Sequence, residues 1–262
     1  MTDTSTPSTP GGPRSIELEI EVAGSPEEVW RAVATGPGIS SWYVPHTVEE
    51  RAGGVANASF GPGPEMQVGG RVVEWDPPRR IVFDGGPSDD GLNFEWLVEA
   101  RDSQTCVVRL VNTGFGSGGP WDDQFDAMTD GWRMFLFNLQ LHLAHFPGQT
   151  ATSMLPMAMW SGDSPDIWVR LVAALGIANT PILGERIVVT ASDAPPLAGT
   201  VAAASPGRLA LLLDTPCPGT AFLAVEGTAV SIWSYLYGPD QHSVANEHGP
   251  LWSAWLAAHG NA

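Results

Sequence analysis

The fold is decided near the start of the chain, where the sequence reads Ser25-Pro26-Glu27-Glu28-Val29-Trp30. Ser25 is a typical helix N-cap, Pro26 suits the first helical position, and Glu28 stands where its carboxylate completes a capping box. Just before this segment, residues 16–22 alternate between apolar and acidic side chains, which is the period of a strand with one wet face. The segment therefore predicts a strand that runs directly into a helix.

The sequence that follows predicts several short strands and one long helix. Residues 92–98 and 105–112 also alternate, and turns rich in glycine and proline separate the segments between them. Residues 121–146 carry apolar side chains at helical spacing: Phe125, Met128, Trp132, Leu136, Leu139 and Leu143. This order of elements predicts an α+β fold with an antiparallel sheet and a long closing helix.

The second half of the chain repeats this pattern. The opening segment recurs as Asp163-Ser164-Pro165-Asp166-Ile167-Trp168, and Trp252 lies in a second closing helix where Trp132 lies in the first. Five such matches in the same order predict an internal duplication. We expect a disordered Thr/Ser/Pro/Gly-rich tail over residues 1–13, one domain over 14–148 and a second, degenerate domain over 149–262.

These motifs also carry a family resemblance. With Trp42 and residues 70–83 (GRVVEWDPPRRIVF), the opening segment resembles the AHSA-like group, the homologues of the activator of the heat-shock-chaperone ATPase, within the START/SRPBCC superfamily. The resemblance implies a helix-grip fold in two tandem copies, in which a curved antiparallel sheet wraps a long C-terminal helix around a cavity. Superfamily members bind hydrophobic small molecules in that cavity, catalyse reactions there or bind other proteins.

The candidate ligand-binding residues take inward positions on the expected sheet and helix: Trp42, Phe60, Phe83, Phe94, Trp96, Leu110, Trp132, Leu136 and Leu139. Asn112 has the same strand parity as Leu110, so its amide is expected to point inward and needs a hydrogen-bond partner. A ligand, a water or a backbone group can fill that role. The same apolar side chains can line an open pocket or fill a solid core, because their type and spacing are identical in both cases.

Composition excludes several classes of function. The chain has 262 residues, with 29 acidic and 12 basic side chains, and every basic residue is an arginine. A net charge of −17 argues against nucleic acid and anionic membranes as partners, and the lack of lysine excludes Schiff-base chemistry and a phosphate-binding P-loop lysine. Two isolated cysteines predict buried free thiols. We expect a soluble, cytoplasmic, acidic protein.

The sequence assigns no catalytic residue, metal or cofactor. His142 and His145 are three residues apart but lack a third ligand nearby, and nucleophile-elbow, dinucleotide-binding and P-loop motifs are absent. The leading hypothesis is binding or sensing of a small hydrophobic ligand, chiefly by the first domain, rather than catalysis. The alternatives are an enzyme with cyclase-like or hydrolase-like acid–base chemistry in the cavity, and an interaction module with a chaperone partner, which follows only from the resemblance.

Overall fold

The computed structural model of the protein contains the expected strand-to-helix start. Strand β2 (Arg14–Ala23) buries Ile16, Leu18, Ile20 and Val22 on one face and leads into helix α1 (Pro26–Ala34). Ser25 Oγ accepts a hydrogen bond from the Glu28 backbone N–H at 3.4 Å, and Glu28 Oε2 accepts one from the Ser25 backbone N–H at 2.9 Å. The predicted capping box is confirmed.

The structure describes residues 2–3, 14–61, 63–86, 91–115, 119–177 and 181–260. The chain divides into two compact units, residues 1–150 and 151–262, and each is described by itself. Of the expected disordered tail, residues 1 and 4–13 lie outside the described part. Residues Thr2–Asp3 form strand β1, which pairs with β2.

The first unit is built on an antiparallel sheet in the order β1-β2-β8-β7-β6-β5-β4-β3. Its remaining strands are β3 (His46–Val48), β4 (Val55–Ser59), β5 (Gln67–Asp76), β6 (Arg80–Asp84), β7 (Asn93–Ala100) and β8 (Thr105–Phe115). A short 3₁₀ turn (Pro64–Met66) precedes β5. Because β2 pairs with the last strand, β8, the sheet brings the two ends of the unit together.

The glycine-proline sequence after α1 does more than end that helix. Glycine and proline commonly end helices, yet Gly36–Ser40 form a second short helix, α2. Thr35 separates the two helices, and its Oγ1 accepts a hydrogen bond from the Gly38 backbone N–H at 3.2 Å. A threonine N-cap followed by proline in the first turn thus restarts the helix.

Helix α3 (Gly119–His145) covers the inner face of the first sheet. Trp132, Leu136, Leu139 and Leu143 form a buried stripe along it, as the helical spacing predicts. The helix lies nearest β2, where the Gln140 side-chain amide donates to the Glu21 carbonyl oxygen at 2.8 Å.

The second unit repeats this plan. Its sheet has β15, β14, β13, β12 and β11 in order, with β9 and β10 both paired to the outer side of β15. Its elements are β9 (Thr152–Met154), β10 (Met157–Met159), α4 (Ser164–Ala174), β11 (Arg186–Val188), β12 (Ala198–Ser205), β13 (Arg208–Thr215), β14 (Gly219–Glu226), β15 (Ala229–Leu236) and α5 (Gln241–His259). The predicted fold class, α+β with two antiparallel sheets each closed by a C-terminal helix, is confirmed.

The first strand segment of the second unit is divided in two. Leu155 and Pro156 separate β9 from β10. Proline has no backbone N–H to give to the ladder, although the Pro156 carbonyl oxygen still accepts a hydrogen bond from Ile232 N–H at 3.2 Å.

Two expectations from composition can be compared with the structure. Cys106 and Cys217 are both buried free thiols, as predicted. Within the described ranges, none of the helices is both long and apolar enough to cross a membrane.

Burial of His142 on α3 predicts a stability loss in acid. The side chain is 3% exposed, and desolvation lowers its pKa from 6.5 to about 4. The imidazole of His142 takes up a proton near pH 6.5 in the unfolded chain but only near pH 4 in the folded chain. Protonation therefore favours the unfolded chain, so the free energy of unfolding is unaffected above pH 6.5 and falls progressively between pH 6.5 and pH 4. The expected loss is about 3 kcal/mol. Urea unfolding at a series of pH values should show a shallower decline for His142→Gln.

The control for this experiment is His145→Gln, one turn further along α3 at an exposed position. Its free energy of unfolding should follow the wild-type curve through the same pH range. If the free energy of unfolding fell equally with pH in wild type and His142→Gln, burial of His142 would not be the cause of the loss in acid.

Candidate functional site

A cavity of about 200 Å³ lies on the inner face of the first sheet, beside the first half of α3. Its walls come from α2, from strands β3 to β7 and from α3. Six of the predicted ligand-binding residues line it: Trp42, Phe60, Phe83, Phe94, Trp96 and Trp132. The interior of this unit is therefore not completely filled by its own side chains.

Trp132 is the central side chain of the aromatic wall. Its ring centroid lies 4.9 Å from that of Tyr43, 5.8 Å from that of Phe94 and 5.5 Å from that of Trp96. The contacts with Phe94 and Trp96 are edge-to-face, an arrangement favoured by the charge distribution of aromatic rings. The rings hold one another in place.

Asn112 fixes Trp132 from the sheet. Its Oδ1 accepts a hydrogen bond from Trp132 Nε1 at 3.4 Å, and its Nδ2 donates to the Asn93 carbonyl oxygen at 3.0 Å. The inward amide that the strand parity predicted is present and fully buried. Its partners belong to this chain, so the amide positions an aromatic side chain of the cavity.

Trp42 is anchored to the helical side of the unit. It is completely buried, and its Nε1 donates to the Ala32 carbonyl oxygen of α1 at 2.8 Å. Asn138 of α3 donates from Nδ2 to the Trp42 carbonyl oxygen at 2.9 Å. The ring centroids of Trp42 and Trp96 lie 5.4 Å apart in an edge-to-face arrangement. Trp42 thus links α1 and α3 to the sheet.

Four predicted ligand-binding residues do not line this cavity: Leu110, Asn112, Leu136 and Leu139. All four are fully buried, as their inward positions require. Leu110 pairs with Leu18 of β2 and Trp96 of β7, on the side of the sheet where α3 packs closely. The open space lies farther toward β3, beyond their reach.

Several cavity residues were missed by sequence reasoning. Tyr43 lines the cavity from the turn after α2, and His46 lines it from the first position of β3. A turn followed by a three-residue strand has no periodic pattern to show which side chains face inward. Ala56 and Ala58 line it from β4, where they alternate with Val55 and Asn57. That alternation could have identified the two alanines, and their small side chains help to explain why space remains.

His46 is a titratable side chain in the cavity wall. Its Nδ1 lies 2.7 Å from the Val44 carbonyl oxygen, and its ring centroid lies 5.4 Å from that of Tyr43. Desolvation lowers the pKa of His46 to about 4, although the bond to Val44 acts in the opposite direction. The imidazole is therefore neutral near pH 7.

A close backbone approach shapes the wall between β5 and β6. A Cβ on Gly70 would lie 2.2 Å from the Asp84 carbonyl oxygen, so this position requires glycine. Asp84 Oδ1 accepts a hydrogen bond from the Arg71 backbone N–H at 2.8 Å. A second cavity, of about 630 Å³, shares Asn57, Gly70, Asp84, Gly85 and Leu92 with the first.

Two comparisons bear on the relatives of this chain. Residues 23–144 match the family model described as Activator of Hsp90 ATPase homolog 1-like protein, AHSA1. The predicted family resemblance is confirmed. No curated protein matches the chain significantly. The matched residues lie in the first unit, residues 1–150, hereafter the AHSA1-like unit.

Some solved structures resemble about half of the chain, and others resemble nearly all of it. The Aha1 dimer from Colwellia psychrerythraea is 20% identical with a TM-score of 0.42, covering 49% of this chain and 95% of its own. The di-domain ARO/CYC protein BexL of the BE-7585A biosynthetic pathway is 17% identical with a TM-score of 0.46, and the match covers 95% of this chain and 99% of BexL. DynU16, from the dynemicin biosynthetic locus, is 16% identical with a TM-score of 0.43, and the match covers 94% of this chain and 96% of DynU16.

Removal of the Asn112 side chain should destabilise the AHSA1-like unit. Asn112→Ala leaves the Trp132 indole N–H and the Asn93 carbonyl oxygen without these buried partners, which costs about 1–3 kcal/mol. Chemical denaturation measures the loss. Asn246→Ala, at an exposed position on α5, should change stability by less than about 0.5 kcal/mol. Equal, small effects for both variants would show that the Asn112 bonds contribute nothing.

Proposed function

We propose that the AHSA1-like unit binds a small, mainly apolar ligand in its aromatic cavity. The observation that carries this proposal is the open volume of about 200 Å³ among rings that otherwise pack tightly against one another. An apolar ligand would gain contacts with these rings and leave water, which is the usual driving force at such sites.

The volume limits the size of the ligand. Engineered cavities of about 150 Å³ lined by apolar side chains accept benzene. Sites for drug-sized ligands reach about 300–1,000 Å³. The cavity itself therefore suits a molecule with one aromatic ring or an aliphatic group of similar size, and a larger ligand would have to extend beyond it.

The chemistry of His46 favours binding over acid–base catalysis. A general acid or base works best when its pKa lies near the working pH. The pKa of His46 is lowered to about 4, so the ring is neutral and weakly basic near neutral pH. Within the described residues, no group of three or more His, Cys, Asp or Glu side chains is placed to hold a metal ion.

The surface of the AHSA1-like unit gives less support to a protein-interaction role. Among its described residues, the large apolar side chains that are mostly exposed are Val55 and Val73. Recognition through an apolar surface usually involves a contiguous patch of several hundred Å². Two valines are too few to form one.

The proposed binding is assigned to the AHSA1-like unit because the aromatic cavity lies there. The second unit instead has a core of closely packed side chains, in which α5 contributes Trp252, Trp255 and Leu256. Trp252 is fully buried, whereas its counterpart Trp132 borders the cavity.

Filling the cavity should abolish binding. Ala58→Leu adds a branched side chain at a wall position, so we expect the Kd for one-ring aromatic probes to rise at least tenfold. Native mass spectrometry of the purified chain with such probes, and calorimetric titration, would measure the change. Ala100→Leu makes the same replacement at an exposed position at the end of β7 and should leave the Kd unchanged.

The two variants separate specific binding from general adsorption. Equal Kd values for wild type, Ala58→Leu and Ala100→Leu would place the probe outside the cavity. Failure of every one-ring probe to bind the wild-type chain, with no small molecule retained on purification, would refute the proposed function.

A further inference from the structure

The described wall of the aromatic cavity carries a single negative charge. Seven of its lining residues are Phe, Tyr or Trp, and the titratable side chains beside Tyr43 are His46 and Asp84. Desolvation lowers the pKa of His46 to about 4, so its imidazole is neutral near pH 7. Carboxylates are ionised near neutral pH. Although the chain has 12 arginines, none of them is among the described residues that line this cavity.

Asp84 lies where the aromatic cavity meets the second cavity, and it lines both. Its Oδ1 accepts a hydrogen bond from the Arg71 backbone N–H at 2.8 Å, which holds the carboxylate against β5. The same oxygen lies 3.4 Å from the position that a Cβ on Gly70 would take. Gly70 pairs with Ala56 of β4, another lining residue, so a side chain at position 70 would point into the cavity. Because Gly70 has no side chain, the carboxylate is left uncovered on that side.

No arginine neutralises Asp84 in the part of the chain that the structure describes. Arg80, on the same strand, forms ion pairs with Glu74 and Glu95. Arg71 lines the second cavity and not the aromatic one, and its contact with the Asp84 carboxylate is made by its backbone N–H. The negative charge of Asp84 is therefore available to a ligand.

The aromatic rings of the cavity favour the same kind of ligand as the carboxylate does. The face of an aromatic ring carries partial negative charge and attracts a cation, and tryptophan does so most strongly. Tyr43, Trp96 and Trp132 form one connected group of rings in this wall. The net charge of −17 on the chain also raises the local concentration of cations.

We propose that the aromatic cavity takes a small organic cation, an amine with one aromatic ring or an aliphatic group of similar size, whose ammonium group lies beside the Asp84 carboxylate. The apolar part occupies the aromatic cavity, and the ammonium group faces the second cavity, where about 630 Å³ leaves room for water around the charge. Keeping part of this hydration matters because complete burial of an ion is costly. The assignment rests on the ligand-binding function proposed above and narrows its ligand to a cation.

Three one-ring probes of similar size test which charge the cavity prefers. Benzylamine is a cation at neutral pH, benzyl alcohol is neutral and benzoate is an anion. Water solvates an ammonium group more strongly than a hydroxyl, so transfer out of water alone favours benzyl alcohol. We expect calorimetric titration of the full chain to give a Kd about tenfold lower for benzylamine than for benzyl alcohol, as for a cation beside aromatic rings and a carboxylate. Benzoate should bind more weakly than both.

Asp84→Asn tests whether the carboxylate causes the preference. Asparagine keeps the size and an oxygen that can accept from the Arg71 N–H, but it carries no charge. It should raise the Kd for benzylamine about tenfold and leave the Kd for benzyl alcohol within about threefold of wild type. Retained binding of benzyl alcohol shows that the variant is folded. Glu99→Gln, at an exposed position near the end of β7, makes the same change of net charge and should alter neither Kd.

Salt provides a test that needs no variant. Added salt screens the charge of Asp84, so in the wild-type chain it should raise the Kd for benzylamine and leave the Kd for benzyl alcohol unchanged. Equal responses of the two probes would contradict an electrostatic preference.

The outcomes separate selection of a cation from cavity binding itself. A Kd for benzyl alcohol equal to or lower than that for benzylamine would overturn selection of a cation and leave cavity binding intact. Tightest binding of benzoate would do the same and would show that Arg71 outweighs Asp84. A preference for benzylamine that is unchanged in Asp84→Asn, or lost equally in Glu99→Gln, would overturn the assignment to Asp84. Failure of all three probes to bind would remove the proposed function.

Discussion

The first sheet is much wider than the helix that covers it. Its eight strands, about 4.8 Å apart, span about 34 Å, whereas a helix with its side chains is about 10–12 Å across. Helix α3 lies nearest β2, and its side chains Leu136 and Leu139 are completely buried there. The strands toward β3 must be covered by α2 and by large aromatic side chains, and the cavity lies where this cover is incomplete.

This dependence on aromatic side chains brings polar atoms into an apolar interior. Every tryptophan adds an indole N–H that needs an acceptor. The unit provides one for Trp42 in the Ala32 carbonyl oxygen and one for Trp132 in Asn112. These two bonds fix the orientation of both indole rings in the wall.

The sequence contained enough information for the framework and too little for the cavity. The Ser25 capping box, the strand alternation and the stripe along α3 each follow from local rules, so they could be predicted one by one. Whether Trp96 and Trp132 fill a core or border a space depends on what lies opposite, here Ala56 and Ala58 on another strand. The hydrophobic period of one segment carries no information about which residues of a distant segment lie opposite it.

The turn after α2 shows a second kind of limit. Tyr43 and His46 were missed because a turn followed by a three-residue strand has no repeating pattern from which inward positions can be counted. The placement of His46 follows from two contacts. Gly36 packs closely against the His46 backbone, and His46 Nδ1 is hydrogen-bonded to the Val44 carbonyl oxygen. Aromatic residue type alone would have favoured Tyr43 as a wall residue, and nothing comparable would have favoured the histidine.

The contacts among Trp42, Trp96 and Trp132 have an optical consequence. The centroids of successive rings are 5.4 and 5.5 Å apart, with interplanar angles of 81° and 77°. Transition dipoles held this close and at fixed angles couple, so the three chromophores absorb circularly polarised light as one chiral assembly. A molecule entering among them would alter that coupling, and the near-ultraviolet circular dichroism of the unlabelled chain thus reports on the interior of the AHSA1-like unit.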